Sequence, residues 1–141
     1  AYMKNIILTI CILLGIQACH QNKKEQDQLL KEVMDIHDEV MPQMGSLRSL
    51  SKGIKLKLDS LEESSTNVDD QTRQKMKAAI KKLDEANKSM MEWMHQFEQI
   101  KEGTPHKEVL NYLNRQKQLI EEVRDNMLTS KKESEELKMS N

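Results

Sequence analysis

Cysteine is nearly missing from this chain: two occur in 141 residues, Cys11 and Cys19. Cys11 lies inside an apolar run near the start, so no disulfide framework can be what stabilises the fold. Aromatic residues are as scarce, with one tryptophan, one phenylalanine and two tyrosines, beside only two prolines and four glycines. So few aromatics and turn residues disfavour a sandwich or barrel and suit long helices. Neither sign of charge dominates: 22 Lys and Arg face 23 Asp and Glu, interleaved along the chain. No single-sign field exists to gather phosphates, and nucleic acid is not an expected partner. Long apolar runs are absent too. Ile6 to Ile16 falls short of the ~20 residues that a membrane span needs.

What is present is helix-prone material, 32% charged and 37% hydrophobic, with room for one domain. Met3-Lys4-Asn5 is a short basic start, the apolar run follows, and Ala18-Cys19 ends it before the polar His20-Gln21-Asn22-Lys23-Lys24. This is the pattern of a signal peptide, residues 1–18. Ile16-Gln17-Ala18-Cys19 resembles a bacterial lipobox, with a branched apolar residue three before the cysteine and a small one just before it. The resemblance implies cleavage before Cys19 and acylation there, giving a membrane-anchored lipoprotein of the bacterial cell envelope, facing the periplasm or the cell surface. Several acyl chains, at ~0.8 kcal/mol per buried methylene, hold a soluble domain where one would release it. Residues 19–26 carry no apolar period and read as a tether.

Three amphipathic seams follow over 27–138. Leu30, Val33, His37, Val40, Met44, Leu47, Ser51, Ile54, Leu58 and Leu61 alternate spacings of three and four, the stripe of a helix over about 27–63. Pro42 lacks an N–H and predicts a bend. Ser64-Ser65-Thr66 breaks the pattern, and Asn67 with Asp70 predicts a capping pair for a second helix over about 68–102. Its seam is Thr72, Met76, Ala79, Leu83, Ala86, Met90, Trp93, Phe97 and Ile100. Gly103 stops it, and Thr104-Pro105 predicts a cap and first turn for a third helix over about 105–138. Val109, Leu113, Gln116, Ile120, Val123, Met127, Ser130, Ser134 and Leu137 form the third seam.

Short connections between long helices predict an all-α, antiparallel up-down-up three-helix bundle preceded by a lipoprotein signal peptide. In that register Leu30 meets Ile100 and Val109, Val33 meets Phe97 and Leu113, Val40 meets Met90 and Ile120, and Leu47 meets Leu83 and Met127. The off-pattern residues coincide as well: His37 falls beside Trp93 and Gln116, and Ser51 beside Ser130. Buried polar groups need partners, so His37 and Gln116 are expected to form a buried hydrogen-bonded pair.

The densest constellation is Met90-Met91-Glu92-Trp93-Met94-His95-Gln96-Phe97, which holds the only tryptophan and phenylalanine. Opposite it the register places Met34, His37, Met41 and Met44. Thioethers with imidazole suit Cu(I) or Ag(I), so His37, Met41, Met90 and Met94 beneath the face of Trp93 form a candidate soft-metal cage. The alternative is packing, because methionine fills irregular cores beside aromatics. His20, His95 and His106 fall off the seams. Nothing points to catalysis: the seams hold no Asp or Glu, no Gly-rich loop is present, and no cysteine but the anchor survives processing. No catalytic residue and no small-molecule substrate is evident.

With Glu32-Val33-Met34-Asp35-Ile36-His37-Asp38-Glu39-Val40-Met41-Pro42 and Met90 to Phe97 in view, the chain resembles a family of small uncharacterised lipoproteins of Bacteroidota. Its members often carry labels taken from coiled-coil or viral A-type inclusion proteins. The resemblance implies a cell-envelope address and no activity. Surface-exported lipoproteins of such bacteria often place acidic residues just after the cysteine, and His20 to Lys24 depart from that. The reading is thus a lipid-anchored, non-enzymatic binding or scaffold module for a protein partner. Its alternatives are a periplasmic Cu(I)/Ag(I)-binding protein and a periplasmic holdase-type chaperone.

Overall fold

The computed structural model describes residues 2–63 and 69–139, with side chains over 21–63 and 69–138. Helix is the regular structure of the described residues, and it forms three long rods. The first rod is α1 (Tyr2–Val40), a 3₁₀ turn (Met41–Gln43) and α2 (Met44–Glu63). The second is α3 (Asp70–Gln96) and the third α4 (His106–Met139).

The interruption in the first rod has a local cause. Pro42 sits at the start of the 3₁₀ turn and cannot donate to the carbonyl four residues back, so the ladder tightens there before resuming. Upstream, the segment expected as a tether is helical. Residues 21–26 continue α1, and they do so with a foothold on α4. Gln26 Nε2 donates to His106 Nδ1 at 2.9 Å, and His106 Nε2 lies 3.2 Å from Glu25 Oε2. Gln, Lys and Glu are good helix formers, so the segment needs little more than that contact to stay helical.

The start of α3 is set by Asp69, whose carboxylate accepts from the Thr72 N–H at 2.9 Å and the Thr72 hydroxyl at 2.7 Å. This replaces the expected Asn67 and Asp70 pair; Asn67 and the turn at 64–66 lie outside the described residues. The first-turn N–H groups of α3 thus have an acceptor one residue earlier than Asp70.

The far end of α3 departs from expectation more. The helix stops at Gln96 instead of near 102, and Phe97 turns to an extended conformation, φ −71° and ψ 114°. Tyr112 of α4 supplies the reason. Its hydroxyl accepts from the Glu98 N–H at 2.7 Å and donates to the Glu98 carbonyl at 3.0 Å. One side chain thereby takes both backbone groups that a continuing helix would use. Gly103, at φ +83°, closes a turn in which the Thr104 N–H bonds the Lys101 carbonyl at 3.2 Å. Positive φ at that place suits glycine. The Thr104 hydroxyl also donates to Lys101, at 2.7 Å, so it does not cap α4. The Pro105 carbonyl begins α4 by accepting from Glu108 and Val109.

Bonds between the rods join each pair. Between α2 and α3, Glu62 lies near Arg73 and Lys77 while Lys55 reaches Asp84. Between α3 and α4, Lys82 pairs with Glu133 and Glu98 with Tyr112. Between the first and third rods, Gln26 meets His106, Glu32 meets Lys117 and Gln43 meets Lys131.

The seams form the core. Val33, Val40, Leu47, Leu83, Met90, Leu113, Ile120 and Met127 are all fully buried, each contributing ~1.5–3 kcal/mol by leaving water. Ile100 is the apolar seam residue that the structure leaves outside, 37% exposed, because α3 has already ended. It is therefore not buried in its expected layer with Leu30 and Val109. Asn87 is buried without having been expected there; its Nδ2 donates to the Leu83 carbonyl at 3.4 Å.

Candidate functional site

Near the end of the bundle where α3 stops, four rings from the first rod, α3, its extension and α4 form a ladder. His37 and Trp93 have centroids 5.6 Å apart, Trp93 and Phe97 5.1 Å, and Phe97 and Tyr112 6.0 Å, all tilted. Tilted arrangements at these separations suit the ring quadrupoles. Trp93 is 6% exposed, so the indole is a core element here and not a surface contact. The expectation that His37 lies beside Trp93 holds.

The expected bond between His37 and Gln116 does not form. His37 Nδ1 turns to the neighbouring Asp38 carboxylate, 2.8 Å away, and the buried Gln116 Oε1 has no hydrogen-bond partner among the described residues. An aspartate at the next position offers a charged acceptor at the wet edge of the stripe, which a neutral amide across the core does not match. Trp93 Nε1 is likewise buried and unpartnered, so this end of the core holds one donor and one acceptor that are both unsatisfied.

The five residues considered for a soft-metal cage occupy different environments. Met41 is 44% exposed on the 3₁₀ turn, while Met90 is wholly buried. Met94 is half-buried and packs against the core that contains Met90 and Trp93, and His37 is half-buried and engaged with Asp38. Met90 thus lies within the core and Met94 against it, beside the indole. Among the described residues, no three His, Cys, Asp or Glu side chains gather as a metal site. Cys19 lies on α1, and its side chain is outside the described set.

The second off-pattern pair also resolves differently. Ser51 donates to Asp84 Oδ1 at 2.7 Å, and Lys55 holds the other carboxylate oxygen at 2.9 Å. Ser130 is buried but is not the partner of Ser51. The Ser51 hydroxyl, and then Lys55, keep the Asp84 carboxyl below its ordinary value against a partial loss of water. Between the first rod and α4, Lys117 bonds Glu32 at 2.8 Å. That bond, reinforced by Gln28, lowers the Glu32 carboxyl, and its reciprocal raises the Lys117 ammonium.

Farther along, a groove of about 250 Å³ opens between α2 and α4. Leu50, Ile54, Met76 and Leu137 supply its apolar surface, and Lys57 and Lys138 its only charges among the described residues. Gly53 helps to make it, since a Cβ added there would meet nothing within 4 Å. The sequence reading did not single this groove out. Its signal is Ser46, Ser49 and Gly53, small residues at spacings of three and four beside the Leu47, Ser51 and Ile54 stripe, which leave one flank of α2 low. The arrangement offers apolar burial with cations at the rim and no paired acid and base for catalysis.

No protein-family profile matches the chain, and neither the curated proteins nor the solved structures searched contain a significant match.

Proposed function

We propose that this chain is a lipid-anchored module of the bacterial cell envelope, an up-down-up three-helix bundle joined to a membrane through acylated Cys19. In this reading its work is to bind or scaffold a partner protein, without catalysis. The observation that carries the reading is the continuity of α1 through residues 19–40. A helix leaving Cys19 enters the core at Val33 and Val40, both fully buried, with its early residues tied to α4 at His106. An acyl anchor at Cys19 would therefore be joined to a stiff rod, and the bundle would stand away from the bilayer at ~1.5 Å per residue. Among the described residues, no helix is long and apolar enough to cross a membrane, so a lipid anchor would supply an attachment that these helices do not. Long faces of alternating charge, such as the Lys31 with Asp35 and Lys88 with Glu92 steps, offer partner surface along the rods.

The test is expression in a bacterium with an envelope, fed an alkyne-tagged palmitate. The full chain is expected to sediment with membranes and carry the tag, and Cys19→Ala to lose both. A Cys19→Ala chain that still sediments with the tag would refute the anchor. For the binding role, crosslinking in intact cells is expected to join the acylated chain to a distinct second protein. Crosslinks confined to the chain itself would contradict it.

A further inference from the structure

The groove between α2 and α4 has a shape and charge that call for one kind of occupant. Ser46 to Lys57 along α2 covers ~16 Å at a rise of 1.5 Å per residue, so the site is long for its volume of about 250 Å³. An apolar cavity of ~150 Å³ is already enough to take a benzene ring. A stable protein interface, by contrast, needs roughly 800 Å² from each partner. A slot of this volume is too small to be the core of such an interface, and it suits one extended hydrocarbon chain. Its apolar surface is genuine core surface, since Ile54 and Met76 are 5% and 2% exposed.

Charge narrows the occupant further. In a chain with nearly equal numbers of acids and bases, the described residues that line the groove include two lysines and no acid. Two other lysines of α2 and α4 are already engaged: Lys55 is held by Asp84 and Lys131 by Gln43. Lys57 and Lys138 have no ion pair among the described residues, and Ser46 and Ser49 also line the groove. We propose that this groove binds a single-chain anionic amphiphile of the fatty-acid class, its hydrocarbon laid over Leu50, Ile54, Met76 and Leu137 and its carboxylate met by Lys57 and Lys138. The proposal goes beyond the anchored-module reading, because a chain never acylated at Cys19 still holds the groove.

The test uses the full chain in the membranes of an expressing bacterium, photolabelled with a diazirine derivative of dodecanoate and mapped by peptide mass spectrometry. Label is expected on peptides containing Leu50 to Lys57 and Leu137. Unlabelled dodecanoate should displace it at about one-fifth the concentration of dodecanol that is needed, as one exposed charge contact allows. Gly53→Leu puts a side chain into the open space and trades glycine for a better helix former. This variant should keep its helical melt yet lose about nine-tenths of the groove label. Lys57→Gln with Lys138→Gln should bring dodecanoate down to the level of dodecanol. Label spread without preference for these peptides would overturn the proposal, as would full labelling of Gly53→Leu or equal competition by dodecanoate and dodecanol against the unsubstituted chain. Displacement by an amphipathic peptide helix but not by dodecanoate would assign the groove to a protein partner instead.

Discussion

At the scale of single residues, polar atoms at the seams mark where the core is imperfect. Gln116 Oε1 is buried without a donor, and such an acceptor costs about 1–3 kcal/mol in desolvation. Gln116→Leu keeps comparable bulk and removes the cost, so it is expected to raise the midpoint of urea unfolding; a lowered midpoint would mean that the amide has a partner. Ser51 makes the opposite case, since its hydroxyl is the main support of the ionised Asp84. The folded-state pKa of Asp84 lies below its unfolded value, so the stabilisation is complete above the ordinary aspartate range and is lost as pH falls through the folded value. The carboxylate is about half exposed, which limits the effect to under ~1 kcal/mol. Ser51→Ala should therefore lower Tm at neutral pH and lessen the fall of Tm on acidification below about pH 4. A side-chain titration followed by NMR should show the Asp84 carboxyl moving up in the variant, and an unchanged titration would contradict the assignment.

At the scale of elements, the end of α3 is decided by a residue on another helix. Tyr112 satisfies both the N–H and the carbonyl of Glu98 and packs on Phe97. Tyr112→Phe retains the ring and removes only the hydroxyl. Two partly wet hydrogen bonds of ~0.5–1.5 kcal/mol each set the upper range of the loss, and amide exchange at Glu98 should rise by more than that at Trp93. Equal exchange in both forms would show that the hydroxyl does not hold the extension. This contact also shows why the sequence was legible only in part. The period of the seams fixes which face of a helix is inward, and every residue of the first and third seams is buried or half-buried. It does not reveal how far a side chain reaches sideways. Asp84, one step from the buried Leu83, reaches Ser51, and Asp38 reaches His37. Each displaced a partner that periodicity had placed directly across the core. Phe97 and Ile100 kept the period after the helix had ended, because the cause lies fourteen positions away in Tyr112.

At the scale of the whole molecule, the first rod is bonded to α4 from Gln26 and His106 to Gln43 and Lys131. A chain held at Cys19 would present the loop at 97–105 toward the bilayer and the groove far from it, on the order of 50 Å along the first rod at 1.5 Å per residue. The anchor and the groove are then separate in space and in chemistry, and loss of either leaves the other in place. Everything in the functional reading begins with what happens at Cys19. The most direct measurement is the mass of the intact protein extracted from the membranes of a bacterium that makes it. The account predicts a chain beginning at Cys19 and heavier than its residues by a diacylglyceryl group and an amide-linked acyl chain. A chain that begins elsewhere, or one whose mass is that of its residues alone, would contradict it.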